Sequence, residues 1–183
     1  MRVCPWWLGP LLASPIRRLW QHPRPILAPH LGPGMTVLEP GPGMGFFTLE
    51  AARLVGPTGR VVAVDVQQKM LDGLRRRAER AGLGASIETR LARGDDLGVE
   101  DLAGRVDLVL ALWVVHELPD QARFFGQVRR ALRRGGRILI VEPRGHVHEA
   151  DFVETLRLAE AAGLVRVEPP PPGPGWIALL LAP

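Results

Sequence analysis

From position 35 onward, apolar residues fall in short runs, and the stretches between those runs carry a helical repeat. The runs lie at 35–39, 61–64, 85–89, 106–115, 138–141, 164–167 and 176–181. Most are continuous rather than alternating; Asp107 is the one break in 106–115. Continuous apolar strands are expected where a parallel sheet is covered by helices on both faces. Met70, Leu71, Leu74 and Ala78 share one face of 67–81, and Phe124, Phe125, Val128 and Leu132 do so in 120–134. A helix over 46–55 follows a glycine-rich turn, and Phe152, Val153, Leu156 and Ala159 mark a last one, closed by Gly163. Arg133 and Arg134 ahead of Gly135 suit the end of helix 120–134, where cations meet the negative dipole end and glycine takes a left-handed cap. The proline-rich turn 169–175 joins the last two runs as a hairpin, so the final strand is expected to be antiparallel.

Alternating strands and helices predict an α/β, doubly wound, mostly parallel seven-stranded sheet with an antiparallel last strand and helices on both faces. The domain spans 35–183. Residues 1–34 sit outside the rhythm and read as an appended arm, partly helical.

Composition narrows this picture. A chain of 183 residues suits one domain. No apolar stretch reaches the ~18 residues of a membrane-spanning helix. The early apolar stretch 3–13 superficially resembles a signal peptide, but Pro5, Gly9 and Pro10 break it, and it reads as an arm of the folded protein. Cys4 is the only cysteine, which rules out an intrachain disulfide or a cysteine-based metal cage and makes the cytoplasm the expected setting. The net charge of +4 comes almost wholly from arginine. Most arginines fall on expected helices, where a solvated outer face is the plainer reading than a nucleic-acid surface.

Ligands of such sheets bind at the carboxyl ends of the strands. The first strand ends in Glu39, Pro40, Gly41, Pro42, Gly43, Met44 and Gly45, which lead into a helix. Alternate glycines let the backbone turn sharply and approach a ligand, and the helix start offers free N–H groups. The dinucleotide pattern G-x-G-x-x-G would need glycine at 46, where Phe46 stands. The second strand ends at Asp65, followed by Val66; a carboxylate there can accept both ribose hydroxyls, or it can simply cap the next helix. Asp95 and Asp96 follow the third strand, and an acidic helix start is the plainer alternative for Asp96.

The series VLEPGPGMGFFT, VVAVDV, RGDDL, VDLVLALWVVHEL and LRRGGRILIVEP resembles the class I S-adenosylmethionine-dependent methyltransferases in order and spacing, a resemblance that extends from about Thr36 to Leu181. The style is similar to their small-molecule, quinone-biosynthesis branch. The resemblance implies a Rossmann-like fold and S-adenosylmethionine as cofactor, with S-adenosylhomocysteine as product. It implies that Glu39 meets the ammonium of the methionine moiety beside Gly41, Gly43 and Gly45. It further implies that Asp65 and Val66 hold the ribose side and that Asp95, less firmly Asp96, contacts the adenine amino group. The Asn/Asp-Pro-Pro-aromatic signature of enzymes that methylate planar amino groups is absent from the end of the fourth strand.

Methyl transfer needs alignment first, and a base only for a protonated acceptor. His116 is the candidate base; the alternative is a histidine packed beside the cofactor. Glu142, His146 and His148 can edge the same region, but His146-x-His148 lacks a third ligand, so no metal is expected. Trp6, Trp7, Leu8, Leu11, Leu12 and Trp20 can roof an apolar acceptor or merely pack. A small-molecule acceptor is the expected partner, with no membrane span. An RNA or protein methyltransferase, a nicotinamide oxidoreductase and a non-catalytic cofactor-binding protein are the competing readings.

Overall fold

The structure is a computed structural model that describes Trp7 and residues 22–168, 170 and 175–183. Cys4, most of the tryptophan-rich arm and most of the proline-rich turn lie outside the described residues. The chain divides at Ala92 and Arg93 into two compact units. Seven strands form a sheet in the order β3-β2-β1-β4-β5-β7-β6.

The first unit contains α1 (Pro23–Leu27), β1 (Thr36–Pro40), α2 (Thr48–Val55), β2 (Arg60–Asp65), α3 (Gln68–Arg80) and β3 (Ile87–Leu91). Its three strands are parallel, β1 pairing with β2 and β2 with β3. β1 and β2 are buried after their first residue, as their unbroken apolar sequence predicts, whereas β3 carries half-exposed polar residues. The later part of the expected arm packs into this unit. Leu27 is fully buried, Arg24 pairs with Glu50 at 3.1 Å, and the Gly34 N–H donates to the Val55 carbonyl at 2.9 Å.

The second unit contains β4 (Val106–Leu112), α4 (Gln121–Ala131), β5 (Leu132–Glu142), α5 (Glu149–Ala161), β6 (Val165–Val167) and β7 (Trp176–Leu181). β4 and β5 are parallel, and β7 runs antiparallel to both β5 and β6. The antiparallel final strand is therefore as the hairpin reading expected.

Two boundaries differ from the sequence reading. The run 106–115 stops being a strand at Leu112, because Trp113 turns at φ 55° and leads into a 3₁₀ turn over Val115–Glu117. Helix α4 ends at Ala131 rather than 134. Leu132 already has extended angles, and Arg133 and Arg134 lie in β5, where the register shifts between Val106 and Leu108. Gly135 does take a positive φ of 76°, but inside this bulge, with its N–H bonded to the Ala182 carbonyl at 2.7 Å.

Candidate active site

The glycine turn is built from the first unit alone. Gly41, Gly43 and Gly45 have φ of 67°, 54° and 84°, left-handed values that favour glycine. The Gly41 N–H is anchored on the Val64 carbonyl at 2.8 Å, tying the end of β1 to the end of β2. Gly45 has a second reason to lack a side chain, since a Cβ there would collide with Leu74 of α3. At Gly43 a Cβ would meet nothing within 4 Å, so the turn is open at that point. The chain keeps turning through Phe47 before α2 begins at Thr48, two residues later than the sequence pattern suggests.

Glu39 ends β1 and is 3 % exposed. Its Oε2 and the Thr48 hydroxyl are buried without a hydrogen-bond partner among the described residues. Burial pushes the carboxyl up from 4.5 to about 7, with the nearby Thr48 hydroxyl opposing the shift. A buried carboxylate oxygen lacking a partner is costly unless something occupies it, and a cationic ammonium fits that requirement. The orphaned oxygen beside an open glycine turn therefore suits the methionine moiety of S-adenosylmethionine.

Asp65 ends β2, 8 % exposed. Its Oδ1 accepts the Gln67 N–H at 2.9 Å, and its carbonyl accepts the Ala92 N–H at 2.9 Å. The side chain thus shapes the turn into α3, whose N-cap residue is Gln67, and is fixed at the strand end. Val66 is exposed. Glu39, the three glycines, Asp65 and Val66 accordingly come together at the adjoining ends of β1 and β2.

Asp95 and Asp96 belong to the second unit, in a tight turn where Arg93 and Asp96 exchange backbone hydrogen bonds at 3.1 Å. Asp95 is half-buried and pairs with Arg123 at 3.3 Å. Asp96 Oδ1 accepts the Gly98 N–H at 3.0 Å, so its side chain serves the turn itself. Sequence reasoning missed Gln127. Its amide clamps this turn, Nε2 donating to the Asp95 carbonyl and Oε1 accepting the Leu97 N–H, both at 2.8 Å. Its signal was present: a glutamine one turn beyond Phe124 and beside Val128, on a face that is otherwise apolar and buried.

His116 and Glu142 stand at the carboxyl ends of β4 and β5. Glu142 is 1 % exposed; its Oε1 accepts the Val115 N–H at 2.8 Å and its Oε2 meets His116 Nδ1. That hydrogen bond raises the pKa of His116 above the ordinary value, against the effect of burial. His146 lies with its ring centroid 6.3 Å from that of His116. The His148 N–H donates to Asp151 at 3.4 Å at the start of α5. Among the described residues, no group of three or more histidine, cysteine or acidic side chains could hold a metal ion.

Comparison with known proteins agrees with this geometry. Residues 31–164 match the family model described as a methyltransferase domain. The chain is 36% identical over 110 residues to an arsenite methyltransferase of Halobacterium salinarum, covering 60% of this chain and 27% of that protein. It is 31% identical over 135 residues to a ubiquinone/menaquinone biosynthesis C-methyltransferase of Hahella chejuensis, covering 74% of this chain and 53% of that one. The chain thus spans between about a quarter and about half the length of these curated relatives. Among solved structures, a SAM dependent methyltransferase from Aquifex aeolicus superposes with a TM-score of 0.84, covering 98% of both chains at 22% identity, a likeness of fold. The strand order, the glycine turn and the match over most of the chain lead to one assignment. The chain belongs to the methyltransferase-domain family, within the class I S-adenosylmethionine-dependent methyltransferases.

Proposed function

We propose that this protein transfers a methyl group from S-adenosylmethionine to a small-molecule acceptor. The observation that carries the reading is the buried, unpartnered Glu39 oxygen at the open glycine turn, beside the fixed Asp65. Glu39 holds the ammonium, the turn of Gly41, Gly43 and Gly45 admits the methionine backbone, and Asp65 takes the ribose hydroxyls, with Val66 beside it against the cofactor. Asp95 serves the adenine amino group, with Asp96 and Gln127 holding its turn in shape. When bound, the cofactor supplies a methyl group on a sulfonium: the acceptor's lone pair forms the new bond to carbon, and the C–S electron pair stays on sulfur as a thioether. The chain's part is to fix both molecules in line and keep water out. We take 1–34 as an appended arm and 35–183 as the cofactor-binding domain.

A small acceptor is favoured over RNA by how the positive charge is spent. Arg53, Arg75, Arg90, Arg133, Arg157 and Arg166 each pair with a carboxylate, so this part of the basic charge is taken up in local ion pairs. The relatives named as quinone-biosynthesis and arsenite enzymes support the same acceptor class. The single cysteine supports a cytoplasmic setting, and no described helix is long and apolar enough to cross a membrane. Methyl-labelled S-adenosylmethionine offered with separated metabolite, RNA and protein fractions tests the reading. Label should enter the metabolite fraction; label entering only RNA or only protein would replace the acceptor class, and none in any fraction would favour a non-catalytic binder.

A further inference from the structure

We propose that His116 and Glu142 form a general-base dyad, and that the acceptor therefore carries an acidic hydroxyl of phenol or enol type. This rests on the methyltransferase reading above. The two residues lie 26 positions apart in sequence and meet because β4 and β5 are parallel neighbours, Leu112 pairing with Val141. Trp113, at φ 55°, breaks the strand and turns the chain so that Val115 and His116 both reach Glu142. A non-glycine residue held at positive φ is strained and persists where the surroundings impose it.

Glu142 is itself over-determined. Its carboxylate is buried with both oxygens engaged, and Gly175, at φ 88°, must be glycine because a Cβ there would collide with the Glu142 carbonyl oxygen. The Val115 N–H fixes one carboxylate oxygen, which aims the other at His116 Nδ1. An imidazole whose Nδ1 faces a carboxylate keeps its proton there, so the neutral ring presents a lone pair at Nε2. The His116 side chain remains 25% exposed, so it can meet a ligand, while its orienting partner is 1% exposed. A base within reach of solvent, oriented by a buried acid, has the division of labour that proton abstraction requires. The groups facing the ring are Glu142, Glu117 next in sequence, and His146; both acids favour the charged ring.

In the step proposed, the acceptor O–H proton moves to His116 Nε2, and the oxygen keeps the electron pair that meets the methyl carbon. The imidazolium pairs with the Glu142 carboxylate until water removes its proton. The class of acceptor follows from matching acidities. A phenolic hydroxyl near 10 lies within reach of a raised histidine, whereas an aliphatic hydroxyl is far too weak an acid. Glu142 acts through His116 and is a positioning residue.

Imidazole ¹⁵N NMR of the full chain without ligand reads the dyad directly. The neutral His116 ring should carry its proton on Nδ1, with a pKa above that of an ordinary histidine. In Glu142→Gln the amide should donate to Nδ1, so that the neutral proton moves to Nε2 and the pKa falls. A wild-type ring protonated on Nε2, or a pKa unmoved by Glu142→Gln, would overturn the dyad; the wild-type tautomer decides even where the variant fails to fold. The acceptor class is tested with labelled S-adenosylmethionine and two probes, catechol and o-phenylenediamine, which differ by hydroxyl against amino. Catechol should take label, with kcat rising through the His116 pKa, and His116→Gln should lower kcat about 10²-fold while S-adenosylmethionine affinity is kept. Equal labelling of the diamine, a flat pH profile, or no turnover of catechol by protein that binds S-adenosylmethionine would overturn the inference. Failure to bind S-adenosylmethionine at all would instead overturn the methyltransferase reading.

Discussion

At the scale of single residues, Glu39 and Asp65 carry the account, and each makes a separable prediction. Burial holds the Glu39 proton more tightly in the ligand-free fold than in the unfolded chain, 4.5 becoming about 7. The stability this supplies is complete below pH 4.5 and is lost as pH rises through about 7, an amount of about 3 kcal/mol. Urea denaturation of the ligand-free protein should show that decline, and Glu39→Gln should abolish it. A bound ammonium favours the carboxylate, so below pH 7 the cofactor must displace a proton. Its affinity should fall by up to about tenfold per pH unit there, and stay flat in Glu39→Gln, by titration calorimetry. Asp65→Asn keeps the oxygen that accepts the Gln67 N–H but removes the charge proposed to meet the ribose. Loss of charged hydrogen bonds worth about 1.5–3 kcal/mol predicts affinity at least about tenfold weaker, with an unchanged circular dichroism spectrum. Unchanged affinity would reduce Asp65 to a turn former.

At the scale of elements, the glycine turn and the Gln127 clamp are the parts most sensitive to change. Gly45→Ala puts a Cβ against Leu74 at a φ of 84°, and should destabilise by about 2–4 kcal/mol in urea. Leu74→Ala should cost less in the Gly45→Ala background than in the wild type, the difference being the relieved clash. Gln127→Ala leaves the Leu97 N–H without its buried acceptor, a loss of about 1–3 kcal/mol. Faster hydrogen exchange at Leu97 is the expected readout. These elements also show how far local sequence reaches. β1, β2 and β7 follow from continuous apolar runs, because these depend on near neighbours, whereas the Glu39 to Asp65 arrangement is expected from the motif series and not from any local pattern. The end of β4 did not follow, since Trp113, Val114 and Val115 are as apolar as the strand before them and only the turn at Trp113 separates them. Arg133, Arg134 and Gly135 offered good helix-ending chemistry, and pairing with Asp107 and Ala182 outweighed it. The clamp of Gln127 and the contact of His116 with Glu142 join residues 26 to 32 positions apart, beyond any local pattern.

At the scale of the molecule, the fold supplies strand ends and the sequence decorates them. Glu39, Asp65, His116 and Glu142 all stand at or just beyond the carboxyl ends of their strands, where doubly wound sheets bind ligands. The proposed small-molecule acceptor and an RNA acceptor predict different responses to salt, since only binding to a polyanion releases counterions. Methyl transfer to the labelled metabolite should therefore change little between 50 and 200 mM salt, where a protein making several phosphate contacts would lose about 10³-fold or more in affinity. The turn between Glu39 and Asp65 is proposed to accept an adenosyl sulfonium and not a dinucleotide. Titration calorimetry of the full chain with S-adenosylhomocysteine, alone and in the presence of excess NADH, measures this directly. Saturable one-to-one binding of S-adenosylhomocysteine, undisturbed by NADH, is predicted; binding of NADH with no heat from S-adenosylhomocysteine would contradict it.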